Sequence, residues 1–250
     1  MKTSAGLAEE SETDRGSGLV VAVDGPSGAG KSSASRGVAR ALGLRYLDTG
    51  SMYRALTWWL LSRGLDTSDP GTVATHAREP VIEPGTDPEA PAITVDGVDV
   101  SGPIRTREVS NAVSAVASVP QVREHLIAQQ REIIARNTGP GGGIVAEGRD
   151  IGTVVAPQAL VKVFLTASES ERAERRSAEL AVDPGATAAV TQQEQLRRDR
   201  ADAPQTVMAA DAVEVDSTAL SLDEVIGLIA GLARERAGLA EGSANPARTG

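Results

Sequence analysis

From Leu19 onward, short β-branched apolar runs alternate with longer stretches punctuated like helices. The runs are Leu19–Val23, Arg45–Leu47, Gly143–Ala146, Val161–Leu165 and Ala212–Val215. Strands buried on both faces read as near-continuous apolar runs, and their alternation with helices predicts an α/β fold with a parallel sheet. Each run stops at a polar residue: Asp24, Asp48, Glu147, Thr166 and Asp216. In a doubly wound sheet these ends share the edge where ligands bind. Strand ends are polar in any protein, so each of these residues alone reads first as structural.

Helices follow from punctuation. Lys31–Leu42 closes at Gly43 and Met52–Arg63 at Gly64, where glycine suits a left-handed C′ position. Pro120 suits a first helical turn and opens Pro120–Arg136. Ser168 with Glu171, Thr191 with Glu194 and Ser221 with Glu224 have capping-box spacing and predict three further helix starts. Two stretches break the alternation. Residues 66–104 hold Pro70, Pro80, Pro84, Pro88 and Pro91, then alternate from Ile93 to Val100 around Asp96–Gly97, predicting a small antiparallel insert. Residues 182–206, with Asp183–Pro184–Gly185 and a dense Arg/Asp run, predict an exposed mobile lid. The polar stretches 1–17 and 241–250 predict a disordered leader and tail.

Composition narrows the chemistry. With two Trp, two Tyr and one Phe in 250 residues, the core must be built from Val, Ile, Leu and Ala. No cysteine is present, which excludes a disulfide framework, a thiolate nucleophile and a cysteine metal site. His76 and His125 are too few for a histidine-rich metal site. The net charge of −9 argues against a general affinity for nucleic acid or anionic membrane. No apolar run reaches the ~18 residues that span a bilayer, and residues 1–17 lack the apolar stretch of a signal peptide, so a cytoplasmic protein is expected.

Gly25–Pro26–Ser27–Gly28–Ala29–Gly30–Lys31–Ser32 matches G-x-x-x-x-G-K-[ST], the P-loop, between a strand and a helix. Backbone N–H groups of such a loop cradle phosphates, the lysine reaches the β- and γ-phosphates, and the Ser32 hydroxyl suits Mg²⁺. The segment Gly25 to Ser33 is therefore the expected ATP site. Neither the base-reading motif nor the D-x-x-G switch of GTPases appears where the fold would require it, and the third strand does not end in Asp–Glu as in motor ATPases. Arg54, Arg105, Arg123, Arg149, Arg172, Arg175, Arg176 and Arg198 fall near the ligand edge. Transfer between two phosphate-bearing substrates needs such guanidinium forks, although any one surface arginine is more often merely solvating.

Four ordered motifs sharpen this: Asp24 to Lys31, Leu47–Asp48–Thr49–Gly50–Ser51–Met52–Tyr53–Arg54, Val100–Ser101–Gly102–Pro103–Ile104–Arg105–Thr106, and Gly148–Arg149–Asp150–Ile151–Gly152–Thr153–Val154–Val155. Together with Ala210–Asp211–Ala212 and Asp216–Ser217–Thr218, they closely resemble bacterial cytidylate kinases from about residue 19 to about 235. The resemblance implies a P-loop nucleoside monophosphate kinase fold: a five-stranded parallel sheet flanked by helices, an antiparallel acceptor insert and a mobile lid. It implies one kinase domain over 18–240, with a core from 18–48, 112–181 and 207–240, an acceptor-binding region over 49–111 and a lid over 182–206. The implied reaction is phosphorylation of CMP and dCMP by ATP with Mg²⁺, by a monomer with no nucleic-acid or membrane partner.

Residue by residue, the resemblance implies catalytic roles for Lys31, Arg149, Arg172, Arg175 and Arg176. Arg54 and Arg149 would hold the acceptor phosphate, and Ser114, Arg123 and Asp150 would read cytosine. Arg198 and Asp202 would hold the ribose side, with Thr49 and Arg105 also on the acceptor. Asp48 and Glu147 are candidate Mg²⁺ ligands through water, beside Ser32. A kinase for UMP, AMP or shikimate is the near rival, and a catalytically silent nucleotide-binding regulator the distant one. Intact Lys31 and Ser32 argue against the latter. One departure stands out. The family's lid reads Arg-Asp-x-x-Asp-x-x-Arg, whereas Arg198–Asp199–Arg200–Ala201–Asp202–Ala203–Pro204–Gln205 ends in glutamine.

Overall fold

The computed structural model describes residues 18–179 and 188–238. The expected leader and tail and the first lid residues, 182–187, lie outside the described residues. The strands are β1 (Leu19–Asp24), β2 (Arg45–Asp48), β3 (Ile82–Pro84), β4 (Ile93–Val95), β5 (Val98–Asp99), β6 (Gly143–Glu147), β7 (Val161–Thr166) and β8 (Val213–Asp216). The helices are α1 (Lys31–Leu42), α2 (Thr49–Ser62), α3 (Pro70–His76), α4 (Arg107–Ser118), α5 (Pro120–Asn137), α6 (Glu169–Glu179), α7 (Ala188–Asp202) and α8 (Leu222–Arg236).

All five apolar runs become strands of one parallel sheet, ordered β2-β6-β1-β7-β8. Alternate residues of a strand face opposite layers, so each run feeds two cores. Ala22, Leu47 and Ala146 face Met52, Leu56 and Leu60 of α2 and Leu126 of α5. Val21, Val23, Tyr46 and Val145 face Ala34 and Val38 of α1 and Val225 and Ile229 of α8. Burying both faces of β1 and β6 brings the ends of β1, β2 and β6 together in register, with Val23 and Asp48 both opposite Glu147.

The insert is a three-stranded antiparallel sheet, β3-β4-β5. Its turn uses Asp96 and Gly97 at φ 51° and 77°. Trp59 of α2 packs against it, its indole N–H donating to Asp96 Oδ2 at 3.0 Å, while Arg63 stacks on the ring at 3.8 Å. The tryptophan thus joins α2 to the insert.

Helix α2 begins at Thr49 because the Asp48 carboxylate caps it, accepting from Ser51 N at 2.9 Å. Helix α3 lies in the proline-rich stretch, where Asp69 caps and Pro70 fills the first turn. The capping box of Ser221 and Glu224 forms. Thr191 lies inside α7, which starts at Ala188, not at a helix start, and Glu194 pairs with Arg107 of α4 at 2.8 Å. Residues 188–202 are thus a helix docked on its neighbours, not an exposed flap, with Gln195 and Arg198 buried.

Candidate active site

The P-loop closes over the end of β1. Gly25 sits at φ 145°, and a Cβ there would lie 2.0 Å from the Leu165 carbonyl oxygen of β7, so only glycine fits. The loop hands over to α1 at Gly30, and Lys31 is 8% exposed, its Nζ donating to Pro26 O at 2.7 Å. Burial and then the like charge of Arg149 push the Lys31 ammonium well below the ordinary lysine range, to about 7, against the pull of Glu147, Asp24 and Asp48. Burial and neighbouring Asp48 push the Glu147 carboxyl up. The Tyr46 phenol donates to Glu147 Oε1 at 2.5 Å and the Thr49 hydroxyl to Glu147 O at 2.7 Å.

Ser32, Asp48 and Glu147 present a hydroxyl and two carboxylates at adjoining ends of α1, β2 and β6. Mg²⁺ takes oxygen ligands and keeps several waters, so few protein groups are needed. The donor set fits that ion. No cluster of three or more His, Cys, Asp or Glu able to hold a metal occurs among the described residues.

The residues expected on the acceptor side come from four helices and the segment after β6. Beyond β6, Arg149 donates to Gly25 O at 3.1 Å, tying its guanidinium to the base of the P-loop, and lies 3.4 Å from the Asp202 carboxylate of α7. The Ser114 hydroxyl of α4 donates to Asp202 Oδ1 at 2.8 Å. Arg123 of α5 pairs with Asp150, which is 7% exposed. Ser114 and Arg198 line a cavity of about 280 Å³ between α4 and α7, rimmed by Asn111 and Arg197. Arg54 of α2 donates to Ser110 Oγ at 2.9 Å. Arg105 is the outlier: it is exposed at the end of the 103–105 turn, with no side-chain bond to the described residues.

Beside the P-loop, Arg172 of α6 donates to Ser27 O at 3.0 Å and pairs with Asp199 of α7. Arg175 reaches Ala29 O at 3.5 Å and Ser217 Oγ and O at 2.9 Å each. These two brace the outer wall of the loop. The side chain of Arg176 lies outside the described residues. Gln205 is half-buried in the turn after α7, where its N–H donates to Asp202 O at 2.9 Å, while Arg200 is exposed.

Several groups that shape the site carried no strong sequence signal. Asp24 accepts from Ile151 N at 2.8 Å and Gly152 N at 2.7 Å, holding the turn that follows Arg149 and Asp150. Gln195 Nε2 donates to Ser27 O at 2.8 Å, and Ser27 N to Asp199 Oδ1 at 3.4 Å, so α7 rests directly on the P-loop. Asp24 and Asp199 fall within the motifs quoted above, whereas Gln195 falls within none.

The arrangement gathers a lysine and several arginines around a phosphate cradle, each engaged by a carbonyl or carboxylate that phosphate oxygens can replace. A family model for cytidylate kinase matches residues 21–235. Cytidylate kinase of Streptomyces griseus subsp. griseus is 55% identical, over 86% of this chain and 92% of that protein. That of Rhodococcus opacus is 46% identical, over 90% of this chain and 99% of its own. Among solved structures, a gluconokinase from Sinorhizobium meliloti 1021 is 20% identical with a TM-score of 0.46, over 89% of this chain and 95% of that one. With a family model spanning most of its length and relatives this similar, the chain belongs to the cytidylate kinase family of nucleoside monophosphate kinases.

Proposed function

We propose that the protein transfers the γ-phosphoryl group of MgATP directly to the phosphate of CMP or dCMP, in line and without a covalent intermediate. The observation that carries this reading is the meeting of Lys31, Arg149 and the Arg123–Asp150 pair at one sheet edge. Lys31 and Arg149 lie where charge develops between donor and acceptor phosphates, and stabilisation that grows in the transition state raises the rate. The acceptor is already a phosphate anion, so no strong general base is required. When bound, Mg²⁺ neutralises phosphate charge, and Ser32, Asp48 and Glu147 are the residues that would hold it, the carboxylates through water.

Cytosine recognition rests on Asp150, Arg123 and Ser114. Cytosine has an N4 donor beside N3 and O2 acceptors, which a carboxylate, a guanidinium and a hydroxyl complement. Uracil has an acceptor at the position of the amine and would face the Asp150 carboxylate unfavourably. Arg54 and Arg149 hold the acceptor phosphate, and Arg198 and Asp202 the ribose side. Docking of α7 over Ser27 supports a lid that excludes water, which would otherwise hydrolyse ATP. A coupled assay of ATP against CMP, dCMP, UMP and AMP tests the reading: turnover is expected with the cytidylates, and equal kcat/KM for CMP and UMP would overturn it.

A further inference from the structure

Tyr46 is 2% exposed and Glu147 3% exposed. Tyr46 and Asp48 lie two residues apart on β2 and so share a face, and Asp48 is in register with Glu147 of β6. The phenol therefore runs along the sheet toward its edge and meets Glu147 Oε1 at 2.5 Å. Its ring is packed in the apolar layer with Val21, Val145 and Val38, so the hydroxyl is delivered from a rigid platform.

We propose that Tyr46 is a positioning residue, holding the Glu147 carboxylate in place for the cation that accompanies the nucleotide. The need for it is electrostatic and entropic. Asp48 carries the same charge on the in-register strand and repels Glu147, while a free glutamate side chain loses rotamer entropy when it is fixed. A hydroxyl donated to a carboxylate is a strong, short bond that opposes the repulsion and fixes one carboxylate oxygen. Groups behind a metal-facing ligand act in this way, and their loss typically weakens metal affinity about 10–100-fold. The inference rests on the reading of Glu147 as a residue facing Mg²⁺.

Tyr46→Phe removes only the hydroxyl, and Glu147→Gln serves as its reference. Binding of a non-hydrolysable ATP analogue is measured by calorimetry with and without Mg²⁺, and half-saturating Mg²⁺ is taken from the difference. Tyr46→Phe should leave Mg²⁺-free affinity near wild type and raise half-saturating Mg²⁺ about 10-fold. In turnover, kcat should fall at fixed Mg²⁺ while KM for CMP holds. Unchanged Mg²⁺ dependence in Tyr46→Phe, with a large loss in Glu147→Gln, would overturn the positioning role and leave the metal reading intact. Unchanged Mg²⁺ dependence in Glu147→Gln would overturn the metal reading and the inference with it. An equal loss of analogue affinity with and without Mg²⁺ in Tyr46→Phe would show general disturbance of the P-loop and also overturn the role.

Discussion

Asp24 is the residue through which the P-loop strand holds the turn after Arg149 and Asp150, and its removal should be felt there first. Its carboxylate is 4% exposed and accepts two backbone N–H bonds, from Ile151 at 2.8 Å and Gly152 at 2.7 Å. Burial pushes the Asp24 carboxyl up, and the two N–H bonds pull it back down. Asp24→Ala strips both acceptors and leaves two buried donors, at about 1–3 kcal/mol each. Water entering the space returns part of this, so the net loss should be about 3 kcal/mol. For a domain of this size that lowers Tm by roughly 6–12 °C. Asp24→Asn keeps one acceptor, and the loss should fall to about 1–2 kcal/mol. Arg149 and Asp150 immediately precede the freed turn, and a displacement of about 1 Å can cost on the order of 100-fold in rate. In Asp24→Asn, the more stable variant, kcat/KM for CMP should therefore fall more steeply than affinity for ATP. Thermal melts read the first effect, and initial rates with each substrate varied read the second. An Asp24→Ala protein melting within about 2 °C of wild type would refute the claim that these bonds hold the turn.

The other expectations are narrower. Lys31 is held down to about 7, whereas a polyphosphate favours its charged form, so Mg²⁺-free nucleotide binding should take up a proton. Affinity should then be full below pH 7 and fall by up to about tenfold per pH unit above it. Calorimetry in buffers of different ionisation enthalpy checks this, and persistence of the uptake in Lys31→Met would rule it out. Asp150→Ala should erode the preference for CMP over UMP by about 5–150-fold, the worth of roughly 1–3 kcal/mol, and an unchanged ratio would remove Asp150 from base recognition. Gln205→Arg should raise kcat/KM for CMP several-fold with ATP affinity unchanged, since a charged donor contributes about 1.5–3 kcal/mol against about 1 for a neutral one. No gain there, with a large loss in Arg200→Ala, would mean that Arg200 already supplies the charge.

What the sequence determined by itself was whatever short-range physics decides. All five strands of the main sheet, the P-loop and the closure of α1 at Gly43 follow from apolar runs, glycine's access to positive φ and the spacing of the motif. So did the turn at Asp96–Gly97 and the Ser221 capping box, because each is a contract between residues a few positions apart. The Asp69–Pro70 start of α3 was equally legible, but the surrounding prolines masked it. Tertiary structure decided which distant polar groups meet. Asp24 finds its partners 127 and 128 residues away, and Tyr46 reaches a carboxylate 101 residues on, pairings that exist only once β1, β2 and β6 are in register. Glu194 is another case: its spacing from Thr191 suited a capping box, yet α7 starts at Ala188 and α4 brings Arg107 to 2.8 Å from the Glu194 carboxylate. The rest of α7 on Ser27, through Gln195 and Asp199, is of the same kind. Most buried polar groups are paired, and which partner pairs one depends on what packing brings within reach.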